Sequence, residues 1–249
     1  MMMNRKPLLC AGIGTLLCAV SVQSMAAIAL DRTRVVVNGG DKSVSLSVSN
    51  ENKQLPYLAQ GWIEDVQGKK ITSPMTVLPP VQRLEPGARS QVRIQTLPAV
   101  NTLPQDRETL YYFNLREIPP RTDKPNTLQL ALQTRIKLFY RPKALVADRS
   151  VAPWQEKLTL TRSGSGYTVN NPTPYYITLA DGTDRPGGPS AKGFKPLMID
   201  PRGNAPLNVG ASVLGSNPVL TYIDDYGGRP QLQFTCSGST CTAKPVKAK

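Results

Sequence analysis

The segment from Leu128 to Arg141 constrains the fold of this sequence more than any other stretch. Apolar side chains alternate with more polar ones along it, and the apolar positions are Leu128, Leu130, Leu132, Ile136, Leu138 and Tyr140. A repeat of two residues is typical of a β-strand with one apolar face and one polar face. Neither Gly nor Pro interrupts the segment before Pro142. The pattern therefore predicts one strand over 128–140.

A strand of this length is unusual, because strands in globular proteins contain about 5–6 residues. One interpretation is a strand in the core of an ordinary β-sandwich. The other is an edge strand whose unpaired backbone groups and leucines accept a second polypeptide, since an open edge invites pairing. The local pattern leaves both interpretations open.

Residues 1–26 have the order of a secretory signal peptide. Arg5 and Lys6 precede the apolar run Leu8–Val22, and small residues then lead to a predicted cleavage site before Ala27. The run is short for a membrane-spanning helix, which needs about 20 apolar residues. We therefore expect an exported protein.

Two cysteines, Cys10 and Cys18, belong to the predicted signal peptide, and Cys236 and Cys241 remain in the mature chain. In an oxidising compartment a pair around Ser-Gly-Ser-Thr most simply forms a disulfide at the tip of a hairpin. A redox-active pair usually has the tighter Cys-x-x-Cys spacing, and a zinc site needs more ligands. We predict a structural disulfide.

Short predicted strands separated by turn sequences fill the mature chain. In the first half they are Val44–Val48, Tyr57–Ile63, Val92–Ile94, Thr109–Arg116 and Leu128–Tyr140. In the second half they are Lys157–Thr161, Tyr167–Asn170, Tyr175–Leu179, Val219–Ile223 and Gln231–Thr235. The segment Lys143–Pro153 lacks this repeat and predicts a hinge. The fold class is therefore all-β, with two immunoglobulin-like β-sandwich domains over 27–146 and 147–249.

The composition argues against most enzymes. The sequence has no histidine, which removes the usual general base and the commonest zinc ligand. It has no nucleophile elbow and no phosphate-binding loop. The adjacent acids Asp224-Asp225 and Glu64-Asp65 would point to opposite faces of a strand. A carboxylate pair from distant segments would still suit a glycosidase, but no pattern selects one. We predict no enzyme, no metal and no cofactor.

The strong positive charge suggests an acidic protein partner or a ligand that carries a carboxylate. The formal charge of +13 falls to +11 when Arg5 and Lys6 leave with a signal peptide that contains no acid. Nucleic acid is another partner for such a charge. Export and the scattered placement of the basic residues argue against it, so we expect no nucleic acid.

The sequence resembles the periplasmic pilus-assembly chaperones over nearly the whole mature chain, most weakly between Ala180 and Asn217. The segments that carry the resemblance are Leu30–Arg34, Asn50–Gln60, Pro79–Gly87, Leu103–Glu108, Tyr112–Pro120, Ile136–Pro142, Asn171–Tyr176 and Tyr222–Pro230. The resemblance implies a periplasmic chaperone that binds, folds and caps pilus subunits, namely pilins and an adhesin. It also implies delivery of these subunits to an outer-membrane usher.

The resemblance assigns the donor role to Leu128–Ile136, with the side chains Leu128, Leu130, Leu132 and Ile136. This strand would complete a subunit whose immunoglobulin-like fold lacks its last strand, by donor-strand complementation. Backbone hydrogen bonds give affinity in such pairing, and alternate side chains fill pockets. In the free protein the same exposed edge would allow a self-capping homodimer.

The resemblance also implies that Arg34 and Lys137 bind the C-terminal carboxylate of the subunit in the cleft between the domains. That anchor would set the register of strand pairing, because a slip of one residue turns the leucines away. Lys137 is out of phase with Leu128 and its companions. Either the cleft lies on the polar side of the strand or a β-bulge intervenes.

Arg93, Glu108 and Asp225 match an ion network that bridges the two domains in the family. We expect it to fix the angle between the domains. The short connection from Pro119 to Asn126 resembles the branch of the family that assembles rod-like pili.

The alternative to a chaperone is a secreted β-sandwich adhesin or carbohydrate-binding module, which would need exposed aromatic side chains on its loops. The sequence has few Trp and Phe residues, so it gives this alternative little support.

Overall fold

A computed structural model describes residues 27–123, 125–148 and 150–247. The predicted signal peptide over 1–26 lies outside the described residues. The remainder folds into two β-sandwiches, each with its own apolar core, which confirms the predicted fold class.

The first domain consists of two facing sheets. Its strands are β1 (Ile28–Leu30), β2 (Arg34–Asn38), β3 (Ser43–Asn50), β4 (Tyr57–Glu64), β5 (Lys70–Ile71), β6 (Met75–Leu78), β7 (Val81–Leu84), β8 (Arg89–Thr96), β9 (Thr109–Ile118) and β10 (Gln133–Arg141). One sheet has the order β1-β3-β8-β6, and the other has the order β2-β10-β9-β4-β5, with β7 also paired to β4. Leu46, Ile94, Phe113 and Leu138 are among the fully buried side chains between them.

The second domain is one eight-stranded sheet that folds over a single core, in the order β14-β13-β16-β17-β18-β11-β12-β15. Its strands are β11 (Thr159–Ser163), β12 (Gly166–Asn170), β13 (Ile177–Thr183), β14 (Leu197–Ile199), β15 (Asn204–Pro206), β16 (Val219–Ile223), β17 (Gln231–Ser237) and β18 (Thr240–Pro245). The described chain also has one short helix, α1 (Ala211–Leu214), in the second domain. Its 3-10 turns are Pro98–Thr102 in the first domain, Lys143–Leu145 just after β10 and Trp154–Lys157 just before β11. The Cys236–Cys241 disulfide joins paired positions of the β17–β18 hairpin, as predicted.

The N-terminal segment changes sheets within a few residues. β1 pairs antiparallel with β3, whereas β2 pairs parallel with β10 in the opposite sheet. The β2 pairing covers only Lys137–Arg141 of β10. On the side of β2, the preceding backbone from Gln133 to Ile136 therefore has no neighbouring strand among the described residues.

The prediction of one strand over 128–140 is wrong for its first part, because β10 begins at Gln133. Leu128, Leu130 and Leu132 precede it outside any strand and are 83%, 66% and 41% exposed. A strand requires a partner for its backbone groups. The last such bond is donated by the amide of Glu117 to the carbonyl of Leu132 at 3.0 Å. Before that point no strand among the described residues flanks the segment, so the ladder ends.

The turn after β2 packs directly on the chain that follows β10. Gly39 donates its amide to the carbonyl of Arg141, at 2.6 Å. A Cβ atom on Gly39 would lie 2.5 Å from the backbone nitrogen of Lys143 and 3.1 Å from the carbonyl carbon of Pro142. Neither neighbour is a flexible side chain, so this contact fixes the end of the β2–β10 pair.

We expect Gly39→Ala to lower the free energy of unfolding by about 1–3 kcal/mol, the usual cost of overpacking. Gly166→Ala is the matched control, because a Cβ atom there meets nothing within 4 Å. It should change stability by less than about 0.5 kcal/mol. Urea unfolding of the two variants makes the comparison, and equal losses would contradict the assigned contact.

Candidate functional site

Arg34 and Lys137 lie side by side at the junction of the two domains. They are direct partners in the parallel β2–β10 pair, so both side chains project from the same face of the sheet. Lys137 Nζ donates to Thr178 Oγ1 at 2.9 Å, and Arg34 Nη1 donates to the carbonyl of Ile223 at 3.3 Å. Thr178 and Ile223 belong to the second domain. The structure thus brings together the two cations that the sequence resemblance selected.

Lys137 lies on the face of β10 that is opposite to the core. Ile136 and Leu138 point into the core, and Lys137 points the other way, toward the second domain. The β9–β10 register runs without a break from Gln133 to Tyr140, so no bulge intervenes. Of the two alternatives left by the sequence, the first holds, because the cleft lies on the polar side of the strand.

Both cations are poorly hydrated. Burial lowers the pKa of Arg34, although Asp225 and Asp224 oppose the shift, and only 8% of the residue is exposed. Burial and the neighbouring charge of Arg34 lower the pKa of Lys137 to about 8. Arg34 Nε has no hydrogen-bond partner among the described residues. Two adjacent desolvated cations with an unused donor form a site suited to an anion.

A cleft of about 1120 Å³ opens beside Arg34. β2 forms one wall, residues 146–148 and 151–155 form another, and the turn Asp224–Tyr226 forms the third. Its volume is slightly above the range for small-ligand sites, about 300–1,000 Å³, and it is open to solvent.

A buried ion network joins the domains beside this cleft, with Arg141 at its centre. Arg141 Nε donates to Glu108 Oε1 at 2.8 Å, and its Nη1 donates to Asp225 Oδ2 at 2.7 Å. Glu108 Oε2 in turn accepts the amide of Tyr176 at 2.8 Å. Asp225 and Tyr176 belong to the second domain, whereas Arg141 and Glu108 belong to the first.

Arg93, which was expected in this network, is not among the residues that the structure places there. Arg93 lies exposed on β8, in the sheet opposite to β9 and β10, and borders Ser45 and Leu78. Arg141 takes its place. The sequence offered only its position at the end of the strand pattern, and it does not show which distant acids a basic residue meets.

Arg141 is also enclosed by aromatic rings. Trp154 and Tyr175 stack with ring centroids 4.2 Å apart, and the guanidinium lies 4.8 Å and 5.2 Å from their centroids. Burial alone would lower the pKa of Arg141, but hydrogen bonds to Asp225 and the charge of Glu108 outweigh it and raise the pKa. Burial raises the pKa of Glu108 against the opposing charge of Arg141. The network therefore joins the domains through groups that are costly to separate.

The open edge of β10 begins next to the two cations. From Lys137 toward the N-terminus, the backbone leads through Ile136 and Gln133 to the exposed leucines. Their positions continue the alternation that puts Ile136 and Leu138 in the core. The alternation of core-facing side chains in β10 thus continues along the sequence before the first residue of that strand.

The part of the chain that the structure describes was also searched for metal sites and membrane-spanning helices. No group of three or more His, Cys, Asp or Glu residues there is placed to hold a metal ion. Within the same residues, no helix has the length and apolar character needed to cross a bilayer.

Comparison with known proteins identifies the family. Residues 27–146 match the family described as pili and flagellar-assembly chaperone, PapD N-terminal domain, and 153–234 match pili assembly chaperone PapD, C-terminal domain. The chain belongs to the PapD-type pilus-assembly chaperones. It is 53% identical to the probable fimbrial chaperone YfcS of Escherichia coli K12, over 92% of this chain and 90% of that protein. It is 52% identical to the chaperone protein PapD of Escherichia coli, over 89% and 92% respectively.

Solved structures of other chaperones share the fold. The periplasmic chaperone SfaE is 34% identical, with a TM-score of 0.66 over 84% of this chain and 100% of that one. The SafB chaperone, solved with the SafA pilin of Salmonella enterica, gives a TM-score of 0.70 at 28% identity, over 85% and 97%. The resemblance inferred from the sequence is therefore confirmed.

Lys137 should make the free protein less stable at neutral pH. Its pKa of about 8 in the folded protein is below the ordinary 10.5, so the cost of its charge is present below pH 8. This loss of folding stability disappears as the pH rises from about 8 to 10.5, because in that range Lys137 is protonated mainly in the unfolded chain. We expect Lys137→Met to raise the free energy of unfolding at pH 7 by roughly 1 kcal/mol, after allowance for solvent screening.

The gain should shrink as the pH rises toward 10.5, and urea unfolding at several pH values measures it. Lys69→Met, at an exposed position, is the control and should show no such trend. A variant that is no more stable than the original at pH 7, or a gain independent of pH, would contradict the assigned desolvation.

Proposed function

We propose that this chaperone binds pilus subunits by lending them the segment Leu128–Ile136 as a missing strand. The observation that carries the proposal is the open edge of β10, which is unpaired next to Lys137 and preceded by exposed leucines. Within the described chain, residues 128–132 belong to no strand, and 133–136 pair with β9 on one side only. A subunit with an incomplete immunoglobulin-like fold would supply the missing partner.

The cation pair supports the same function by fixing where the guest strand begins. β2 occupies the edge of β10 from Lys137 onward, so a guest strand can extend only in the other direction. A C-terminal carboxylate held by Arg34 and Lys137 would lie where β2 and the guest strand meet. Alternate guest residues would then face the leucines, because the register of a strand decides which face each side chain takes.

The expected binding free energies are consistent with a stable complex from which the subunit can still be displaced. Burial of three leucines gives a gross gain of about 5–9 kcal/mol. Charge-assisted hydrogen bonds to the carboxylate add about 1.5–3 kcal/mol each. Ordering of 128–132, which is free of strand pairing before binding, reduces that sum. A competing strand that pairs better with the subunit can therefore displace the chaperone.

The proposal includes the setting in which this exchange occurs. The chaperone acts in the periplasm, without catalysis, on pilins and a tip adhesin, and passes them to an outer-membrane usher. The family match, the predicted signal peptide and the Cys236–Cys241 disulfide support this setting. The exposed leucines also support a self-capping homodimer of the free protein, since an uncovered apolar edge favours pairing.

Leu130→Glu should abolish the capture of a subunit while the chaperone stays folded. Leu130 is 66% exposed in the free protein, so the change removes no packing there. In the complex it would place an ionised carboxylate in an apolar groove, and affinity should fall by at least about a hundredfold. A pull-down with a pilin co-expressed in the periplasm measures the loss.

Leu55→Glu is the matched control, because Leu55 is 46% exposed and lies in the connection between β3 and β4, outside the segment Leu128–Ile136. It should leave capture unchanged, and both variants should unfold like the original protein. Undiminished capture by Leu130→Glu would overturn the proposed donor segment.

A further inference from the structure

Glu117 is a buried carboxylate at the end of the core of the first domain. It lies on β9 with Phe113 and Leu115 on the same core-facing side, and only 6% of it is exposed. Its Oε2 accepts the backbone amide of Ile28 at 2.9 Å. Within the described ranges, no Lys or Arg side chain forms an ion pair with it. A carboxylate removed from water normally has a cation or several donors.

The backbone nitrogen of Ala27 lies one residue before the amide that Glu117 binds. Ala27 is itself buried, and its carbonyl accepts the amide of Glu51 at 2.7 Å. Bond lengths keep the nitrogens of consecutive residues within about 3.6 Å of each other. The nitrogen of Ala27 therefore lies next to the amide of Ile28, which already donates to Glu117.

We propose that Glu117 is the binding site for the α-ammonium group of this chain, which forms when the leader is removed before Ala27. A signal peptidase would hydrolyse the bond between Ala26 and Ala27 with one water, leaving a carboxylate on Ala26 and an amine on Ala27. The amine then takes up a proton. In the uncleaved chain the same nitrogen is a neutral amide, and Glu117 lacks a counter-charge.

The ion pair would fix the start of β1 and, through it, the segment that crosses to β2. β1 contains only Ile28–Leu30, and the chain reaches Arg34 soon afterwards. Processing would thus complete the anchoring of the N-terminal segment. Two carboxylates lie near Ala27, Glu117 from β9 and Glu51 after β3. Glu51 is exposed and already accepts the hydroxyl of Ser49 at 2.6 Å.

Thermal unfolding of paired chains tests the site. One chain begins at Ala27, and the other has a single glycine added before it, which makes the nitrogen of Ala27 a neutral amide. We expect the added glycine to lower the Tm by about 5 °C in the original sequence and in Glu51→Gln, but by less than about 2 °C in Glu117→Gln. Equal losses in all three backgrounds would overturn the proposal.

A measurement on the unaltered protein keeps the test valid if Glu117→Gln fails to fold. The rate of acylation of the α-amine is followed against pH in the chain that begins at Ala27. An ordinary α-amine has its half-point at about pH 7.7–8.0. An ion pair should move it above about pH 9, whereas burial without a counter-charge should move it below the ordinary value. A half-point at or below the ordinary value would refute the pair.

Discussion

The parallel pairing of β2 with β10 is the constraint on which the rest of the site depends. It places Arg34 directly opposite Lys137, and it closes the edge of β10 only from Lys137 onward. The remaining edge stays open, with the leucines beyond it. A β2 displaced by a few residues would either cover that edge or separate the two cations. The proposed anchor and the proposed donor segment would therefore both result from one pairing.

The second domain holds this arrangement in place through polar contacts. Lys137 reaches Thr178, Arg34 reaches the carbonyl of Ile223, and Arg141 binds acids from both domains. Arg141 and Glu108 are buried and Asp225 is partly exposed, and an unpaired charge at the buried groups would be costly. The cleft owes its shape to these bonds, and the desolvation that lowers the pKa of Lys137 comes from the same closure.

Much of the fold could be predicted from the sequence, because residue alternation and turn chemistry are local signals. β16 (Val219–Ile223) has the predicted bounds, but β2 was missed, although Arg34–Asn38 contains three consecutive valines. Contacts between distant segments could not be predicted in the same way. Arg141 and Arg93 are both basic strand residues, and only the packing of the two sheets decides which one meets Glu108. The leucine segment had the pattern of a strand, but a strand also needs a neighbour.

Hydrogen exchange along 128–136 tests the central claim most directly, because it reports whether each backbone amide has a partner. The amides are compared in the chaperone alone, diluted until it is monomeric, and in its complex with a pilus subunit. We predict rapid exchange of the amides on the open side in the free protein and strong protection in the complex. Rapid exchange in the complex, with protection confined to the second domain, would contradict the account.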